Sequence, residues 1–400
     1  MGFYEDLGVS TLINAAGTLT RLGGSRLAPD VLAAMAEASA SFVHIDELQA
    51  RAGEVIADIT GAEAGYVTTG AAAGLALSAA ACVVGMDVGA MDRLPDTSGM
   101  RHEVIVQRGH RNSYDHAIRS AGIRFIEVGY LCYPGAGGTM PWQIEEAISE
   151  RTAAIACPIL DTPGCLSLPV VAEIAHRHNL PVIVDAAAEL PPRSNLTRFI
   201  KEGADLVVYS GGKAIGGPQA SGILAGRADL IASVALQHQD MDVRAETWNK
   251  RGLLDSGGVA GIPHQGFGRA MKVGREEIAG LVTALRAFAA GSDEADCHAW
   301  SGLLDQIEYA LSGIAGVECH RAGPTRSEKP LPLLRISLIN EAPGVAYDII
   351  NELLSGEPAI ALGESHAEYN VLIVNPHNLT EREAELVGQR LRDVLREGRE

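Results

Sequence analysis

The chain has 400 residues, of which 47% are hydrophobic, and it carries a formal net charge of -18. A chain of this length exceeds what one hydrophobic core usually supports, so a large and a small globular domain are expected. The negative charge, without a basic stripe, argues against nucleic-acid binding, and no apolar run reaches the roughly 18 residues that a membrane-spanning helix needs.

The cysteines and the first residues bear on compartment and metal binding. No CxxC pair and no zinc-like spacing is present, which predicts reduced thiols and no metal site. The start of the chain shows no basic and then apolar stretch, so a cytoplasmic protein without a signal peptide is expected. The cysteines are Cys82, Cys132, Cys157, Cys165, Cys297 and Cys319.

Residues 1–45 are predicted to form an N-terminal arm rather than a strand–helix unit. Arg21 lies in this arm just before the Gly23-Gly24 turn. Two roles remain open for it, docking against a partner subunit and contacting a substrate.

The first candidate site lies where a short strand enters an alanine-rich helix. Helices are predicted over Pro29–Ser39 and Asp46–Thr60, and the following strand runs through Thr69 and Gly70 into a helix that starts near Ala71. Backbone N–H groups at such a helix start can hold a phosphate. The alternative is a buried helix whose small residues only allow close packing.

His110 is the second candidate. It follows the predicted strand Glu103–Gln107, and in an open α/β sheet ligands bind just beyond the carboxyl ends of strands. We expect His110 to stack on a ring, although a structural histidine is the common alternative. Arg111, Asn112 and Tyr114 share the loop and could do that work instead.

Asp185 follows four apolar residues of another predicted strand and has only alanines after it. Burying an unpaired carboxylate is costly, so a cationic partner such as a protonated pyridine nitrogen is expected. Ala187 is small enough to lie under a ring. The alternative is a helix N-cap. The roles of Glu189 and Arg193 stay open.

Lys213 is predicted to be the residue around which the chain is organised. The strand Asp205–Tyr209 and Ser210 precede it, and five glycines flank it at 211, 212, 216, 217 and 222. Such a run bends the backbone closely around something. A lysine with an ordinary pKa near ~10.4 does little at neutral pH, but in a Schiff base with pyridoxal phosphate it is reactive.

A basic cluster follows in a glycine-rich segment that contains Gly266 and Arg269. Clustered cations in an acidic chain indicate an anion nearby, either a cofactor phosphate or a substrate acid. The alternative is pairing with Glu276 and Glu277, which suits Lys272 better than Arg269. The other members are Lys250, Arg251 and His264.

The predicted domains are residues 46–275, a large cofactor-binding domain, and 276–400, a small α+β domain. In the small domain Arg335 lies inside the predicted strand Leu333–Ile339, where a guanidinium needs a partner. A substrate carboxylate would provide one bidentately, and an internal acid would do as well.

Three motifs carry a resemblance to a known family. The runs SGGKAIGGPQASGIL, VDAAAELPP and TGAAAG resemble the fold-type I pyridoxal phosphate enzymes, and within them the selenocysteine synthase (L-seryl-tRNA selenium transferase) branch, whose shorter relatives include D-glucosaminate-6-phosphate ammonia-lyase. The resemblance implies an aspartate aminotransferase-like α/β fold, with a mostly parallel seven-stranded sheet and a small C-terminal α+β domain.

The resemblance also implies roles for individual residues. Lys213 would form the Schiff base and Asp185 would face the pyridine nitrogen, with Gly70, Ala71 and Ser210 at the phosphate. His110 would lie near the ring face. The segment from Gly266 to Arg269 would reach a neighbouring subunit's site, so a homo-oligomer is implied.

The expected activity is that of a lyase. Removal of the α-proton and β-elimination from a small hydroxyamino acid would release ammonia and a 2-keto acid. A racemase or epimerase and a selenocysteine synthase-like transferase are the alternatives. The transferase is disfavoured because the Asn14-Ala15 segment comes almost at once, leaving no room for a tRNA-binding domain. A cofactor-free scaffold is a further alternative of a different class.

Overall fold

The computed structural model describes residues 2–131, 138–160, 162–238, 242–322 and 331–397. Cys132 therefore lies outside the described residues. The described strands, in chain order, are β1 (Leu12–Ala15), β2 (Ala64–Thr68), β3 (Glu103–Gln107), β4 (Arg124–Val128), β5 (Thr152–Ala156), β6 (Val182–Asp185), β7 (Leu206–Ser210), β8 (Gly222–Gly226), β9 (Val317–Ala322), β10 (Leu333–Leu338), β11 (Ala359–Leu362) and β12 (Val371–Val374).

Helices alternate with these strands along most of the chain. The described helices are α1 (Phe3–Asp6), α2 (Pro29–Ser39), α3 (Ile45–Thr60), α4 (Ala71–Val84), α5 (Val88–Arg93), α6 (Asp115–Arg119), α7 (Pro141–Ala147), α8 (Leu168–Arg177), α9 (Asn195–Lys201), α10 (Ala228–His238), α11 (Arg251–Asp255), α12 (Arg275–Ala290), α13 (Asp293–Leu311), α14 (Val345–Ser355) and α15 (Glu381–Glu397). None of the helices in these ranges is long and apolar enough to cross a membrane.

The larger of two compact units consists of Leu27–Leu190 and Ser194–Ala289. Its seven-stranded sheet has the order β2-β8-β7-β6-β5-β3-β4, which confirms the predicted mostly parallel sheet. Only β8 runs antiparallel to its neighbours. The carboxyl ends of the other six strands therefore lie at one edge, where open α/β sheets bind ligands.

Helices cover both faces of this sheet, so its central strands are apolar throughout. One face packs against α3, α8, α9 and α12, with Ile56 and Leu281 in the core. The other face packs against α4, α6 and α10, with Leu77 and Val234. Helix α4 is buried for nearly its whole length, because its alanines and glycines let it lie close to the sheet.

The smaller unit consists of Met1–Arg26, Pro191–Arg193 and Ala290–Glu400. It contains a three-stranded antiparallel sheet of order β12-β10-β9 and a parallel pair of β1 with β11. In its core, alternate residues of β10 such as Leu334 and Ile336 pack with residues of α13, α14 and α15.

The structure differs from the sequence-based expectations in two places. Helix α12 belongs to the larger unit, not the smaller one, because its apolar face is part of the larger core. The N-terminal segment contains a strand, β1, whose partner β11 lies near the other end of the chain.

Candidate active site

The lysine predicted to be reactive lies in a tight turn just beyond the end of β7. Gly217 donates a backbone hydrogen bond to Gly211 at 2.9 Å, and Gly216 donates one to the carbonyl of Lys213 at 2.9 Å. A Cβ atom at Gly212 would lie 2.5 Å from Gln219 Cα, and one at Gly211 would lie 2.2 Å from Ser221 Oγ. The glycines are thus required by close backbone approach, and they fix where the lysine emerges.

The start of α4 reaches the same edge one strand away. Gly222 of β8 pairs with both Thr68 of β2 and Ser210 of β7, so a single strand lies between the ends of β2 and β7. A Cβ atom at Gly222 would lie 2.5 Å from the Gly70 carbonyl carbon. The first N–H groups of α4 have no partner within the helix, as at any helix start, and groups of this kind can bind an anion. An anion site beside Ser210 stays a prediction.

Gly70 itself adopts a backbone conformation that side-chain residues rarely take, with φ of 101°. The hydroxyl of Thr68 donates to the Gly70 carbonyl at 2.9 Å and holds this turn in place. Thr69 and Ala71 flank the glycine and are partly buried. The turn predicted to bind phosphate is therefore a strand–turn–helix junction.

Asp185 ends β6, the strand next to β7. The Ala187 N–H donates to its Oδ1 at 3.0 Å. Burial raises the pKa of Asp185, while that N–H and the nearby charge of Lys213 lower it. A turn follows Asp185 and the next helix, α9, is preceded by Ser194, so Asp185 is not a helix N-cap.

His110 lies at the same edge, beyond β3, and is 3% exposed. Burial lowers the pKa of His110, and a backbone hydrogen bond with Leu160 opposes that shift. Its Nδ1 atom is buried and has no hydrogen-bond partner among the described residues. The Ile159 N–H donates to the Asp185 carbonyl at 3.0 Å, so the segment after β5 joins His110 to Asp185.

We expect the lowered pKa of His110 to appear as a pH-dependent loss of stability. Below the ordinary value of 6.5 the unfolded chain binds a proton that the folded chain does not, so stability is full above that pH and is lost as the pH falls towards the folded pKa. His110→Gln should make this loss smaller, by about 1.4 kcal/mol for each pH unit between the two pKa values. Denaturant unfolding across this pH range measures it.

The control for that experiment is His264→Gln, since the His264 side chain is 84% exposed. It should keep the parent's pH dependence. If the His110→Gln and parent curves run parallel, the buried imidazole is not a source of the pH dependence.

These residues fit pyridoxal phosphate. The partly buried Asp185 carboxylate would face the pyridine nitrogen, and the start of α4 with Ser210 would hold the phosphate. Lys213 is close enough to Asp185 to affect its pKa, as the covalent attachment point must be. His110 and Ala187 would contact the two faces of the ring.

The structure gives local contacts for the other residues predicted at the site. Gly266 and Arg269 belong to a segment that packs against the end of α10, where a Cβ atom at Gly266 would lie 2.9 Å from the Gln237 carbonyl oxygen. Arg21 pairs with Glu364 at 2.5 Å. These two arginines and Arg335 stay predictions as substrate ligands.

Arg335 and Arg21 both belong to the smaller unit. Arg335 alternates along β10 with the core residues Leu334 and Ile336, so it faces away from the core of that unit. Its Nε atom is buried without a hydrogen-bond partner among the described residues. An anionic partner would satisfy it.

Two residues with open roles are structural. Arg193 pairs with Asp293 at 2.6 Å and Asp296 at 2.7 Å. Arg111 bonds Asp115 and Glu127 and covers the Phe125 ring. Glu189 is buried, and the geometry assigns it no chemistry.

The sequence reasoning missed two features that position the site. Gly222 was noted only as a flanking glycine, although it sets the spacing between β2 and β7. No local sequence pattern predicts the hydrogen bond between His110 and the backbone of Leu160, because the two residues are about fifty positions apart.

Comparisons with known proteins bear on the family and the fold of the chain. The family model described as SelA: L-seryl-tRNA selenium transferase matches residues 12–246. D-glucosaminate-6-phosphate ammonia lyase of Salmonella typhimurium is 34% identical, covering 98% of this chain and 97% of that protein. A 5'-C-glycyluridine monooxygenase-decarboxylase of Streptomyces is 31% identical, covering 98% and 92%.

Solved structures show the same fold. The structure of a D-glucosaminate-6-phosphate ammonia-lyase covers 100% of both chains with a TM-score of 0.82 and 32% identity. A NifS-like protein covers 96% of this chain and 99% of its own with a TM-score of 0.57 and 15% identity, which shows the fold alone. The predicted fold-type I architecture is therefore confirmed.

Proposed function

This chain belongs to the L-seryl-tRNA selenium transferase family, and from that premise we propose that it is a pyridoxal phosphate-dependent lyase. Its substrate would be a small hydroxyamino acid, which it converts into a 2-keto acid and ammonia. The observation that carries the proposal is the meeting of Lys213, Asp185 and the start of α4 at the carboxyl edge of one sheet. The 34% identity to an ammonia lyase over nearly the whole chain supports the choice of reaction.

The cofactor, when bound, makes the α C–H bond of an attached amino acid acidic by drawing its electron pair into the protonated pyridine ring. The chain's residues have separate tasks. Asp185 keeps the proton on the pyridine nitrogen, because a partly buried carboxylate gains more from a cation than from water. The N–H groups at the start of α4, with Ser210, hold the phosphate.

Lys213 moves the proton. Its amine, once released from the cofactor, takes the α-proton, and it can hand that proton to the departing β-hydroxyl. The products of elimination are water and an enamine. A second water molecule hydrolyses the enamine to the 2-keto acid and ammonia, so the net reaction consumes no oxidant or reductant.

His110 would act beside the ring. Because burial lowers its pKa, the imidazole is neutral at neutral pH and the Nδ1 lone pair can accept a hydrogen bond. It therefore positions the ring and its substituents without adding charge to the site. Thr69 and Ala187 shape the remaining walls.

We also propose that the chain forms a homo-oligomer, as the resemblance implies. Large apolar side chains near the N-terminus are exposed, with Phe3 73% and Phe42 94% accessible. Burying such groups against a second copy would be favourable. The molar mass in solution, measured by light scattering on the preparation used for assays, tests this proposal.

The test of the proposed reaction is a panel of hydroxyamino acids, including sugar-derived amino acids with and without phosphate, incubated with the cofactor-loaded protein. Equal amounts of 2-keto acid and ammonia are expected from at least one of them. The relative from Streptomyces is named a monooxygenase-decarboxylase, so oxygen uptake and carbon dioxide are measured in the same samples.

Three outcomes would overturn the proposal. Solvent deuterium at Cα without keto acid would indicate an epimerase. Oxygen uptake with carbon dioxide release would indicate a monooxygenase-decarboxylase. Absence of a visible absorption band after loading, together with absence of products, would indicate a scaffold without cofactor chemistry.

A further inference from the structure

Two glutamine side chains in the larger unit are almost completely buried, and each bonds both backbone groups of one residue. Gln107, at the end of β3, is 2% exposed; its Nε2 donates to the Leu166 carbonyl at 3.0 Å and its Oε1 accepts from the Leu166 N–H at 2.6 Å. Gln49 of α3 is 3% exposed and makes the same two bonds to Val67 of β2, at 2.8 and 3.0 Å. Each amide therefore takes the place of a neighbouring strand.

Gln107 holds the segment that connects β5 to α8. The described residues of this segment are 157–160 and 162–167, and Leu166 lies near its end. Near its start the Ile159 N–H donates to the Asp185 carbonyl at 3.0 Å, so the segment still pairs with β6 there. The segment is thus attached to β6 on one side and to β3 on the other.

The middle of this segment packs on the loop that carries His110. A Cβ atom at Gly109 would lie 2.8 Å from Cys165 Sγ and 2.9 Å from Thr162 Cγ2, and the Thr162 hydroxyl donates to the Gly109 carbonyl at 3.3 Å. The backbone of Leu160 forms a hydrogen bond with the His110 ring. The position of this backbone group therefore depends on how the segment is held.

That hydrogen bond determines which nitrogen of His110 carries the hydrogen. The Nδ1 atom is buried without a partner among the described residues, so the bond to the Leu160 carbonyl is made by Nε2. A carbonyl oxygen only accepts, so in the neutral ring the hydrogen lies on Nε2 and not on Nδ1. The same bond orients the ring, as a fixed acceptor does for any imidazole that donates to it.

We propose that Gln107 is a positioning residue for His110, because by holding the connecting segment it keeps the Leu160 carbonyl against the imidazole and so fixes the tautomer and the orientation of the ring. Gln107 acts through His110 and has no chemical step of its own. The consequence for the reaction rests on the proposed function, in which His110 contacts a face of the cofactor ring. The tautomer itself does not depend on that function.

The test is heteronuclear NMR of the full-length chain with isotope-labelled histidine nitrogens. At neutral pH an imidazole gives well-separated resonances for the nitrogen that carries the hydrogen and the nitrogen that does not, so the spectrum identifies the tautomer. His110→Gln identifies the His110 signals by removing them. In the parent without cofactor, we expect the hydrogen on Nε2 alone.

Gln107→Met keeps the length of the side chain and removes both hydrogen bonds. Its two His110 resonances should move towards each other, because the hydrogen then exchanges between the nitrogens and each signal becomes an average. Gln49→Met is the matched control. It loses the same pair of bonds on a strand that lies five strand spacings, about 24 Å, from β3, and it should keep the parent's His110 signals. Both variants should lower thermal stability, so stability alone does not distinguish them.

The proposal is overturned if folded Gln107→Met keeps the parent's His110 signals, if Gln49→Met shifts them equally, or if the parent carries the hydrogen on Nδ1. Circular dichroism shows which variants fold. If Gln107→Met does not fold, Gln107→Asn takes its place, because its amide is one methylene shorter and cannot span both backbone groups of Leu166. Parent-like His110 signals in that variant would also overturn the proposal.

Adding pyridoxal phosphate distinguishes this inference from the proposed function. Cofactor bound against the imidazole should shift the His110 signals of the parent, because a neighbouring aromatic ring changes them. If they stay unchanged while the tautomer depends on Gln107, the place of His110 beside the cofactor is wrong and its positioning by Gln107 stands. If the tautomer does not depend on Gln107, the positioning is wrong whatever the cofactor does.

Discussion

Lys213→Ala should abolish covalent attachment of the cofactor and reduce turnover by a factor of about 10²–10⁴ or more, the contribution of a positioned proton-transfer group. The reason is that the turn between β7 and β8 presents this one amine beside Asp185, and alanine offers neither a nucleophile nor a base. Borohydride reduction followed by mass spectrometry measures attachment independently of activity. The parent should gain the mass of the cofactor and the variant should not.

Two further substitutions distinguish the reactivity of the Lys213 amine from its charge and from a general effect on folding. Lys213→Arg keeps a cation near Asp185, but a guanidinium does not lose its proton in proteins, so this variant should also lack covalent cofactor. Lys201→Ala, on the exposed surface of α9, should behave like the parent. Covalent cofactor in folded Lys213→Ala would show that another lysine carries the reaction.

Asp185→Asn should lower kcat/KM by about 10²–10⁴-fold, because breaking a buried ion pair costs about 3–5 kcal/mol. In the cofactor-free protein, by contrast, the same substitution should be favourable and should raise the free energy of unfolding at neutral pH. Burial raises the pKa of Asp185 above its ordinary 3.8, so the stability it contributes is full below that value and is lost as the pH rises through the folded pKa. A neutral amide avoids this loss and can still accept the Ala187 N–H.

Thermal unfolding without cofactor at neutral pH tests this sign, and Asp205→Asn is the matched control. Asp205 is another buried aspartate of the sheet, but its carboxylate accepts the Val182 N–H at 2.8 Å and pairs with His176 at 2.9 Å. Its replacement should lower stability by about 1–3 kcal/mol and leave the activity of the folded protein nearly unchanged. If Asp185→Asn destabilises the protein as Asp205→Asn does, Asp185 has a structural role.

Local patterns predicted much of the larger unit. Buried parallel strands read as continuous apolar runs, so β3, β6 and β7 were recognisable, and the glycines around Lys213 marked a close backbone approach before any coordinates. The positions of Gly70, Asp185, His110 and Lys213 at strand ends placed them at one edge of the sheet. Their chemical roles remain predictions for the variants to test.

Long-range pairing could not be predicted in the same way. Strand β1 is four residues long and gains its partner from β11, and nothing near Leu12 indicates that pairing. The amphipathic helix α12 could have packed in either unit, since its pattern shows that one face is buried but not against what.

The pairing of β1 with β11 has a consequence for biosynthesis. The ribosome releases residues 27–289 before Ala359 emerges, so the larger unit can become compact early, as domains often do during translation. Strand β1 must remain unpaired until β11 has emerged. Pulse-labelled nascent chains should therefore acquire protease resistance in two stages, with the N-terminal segment protected only in the second.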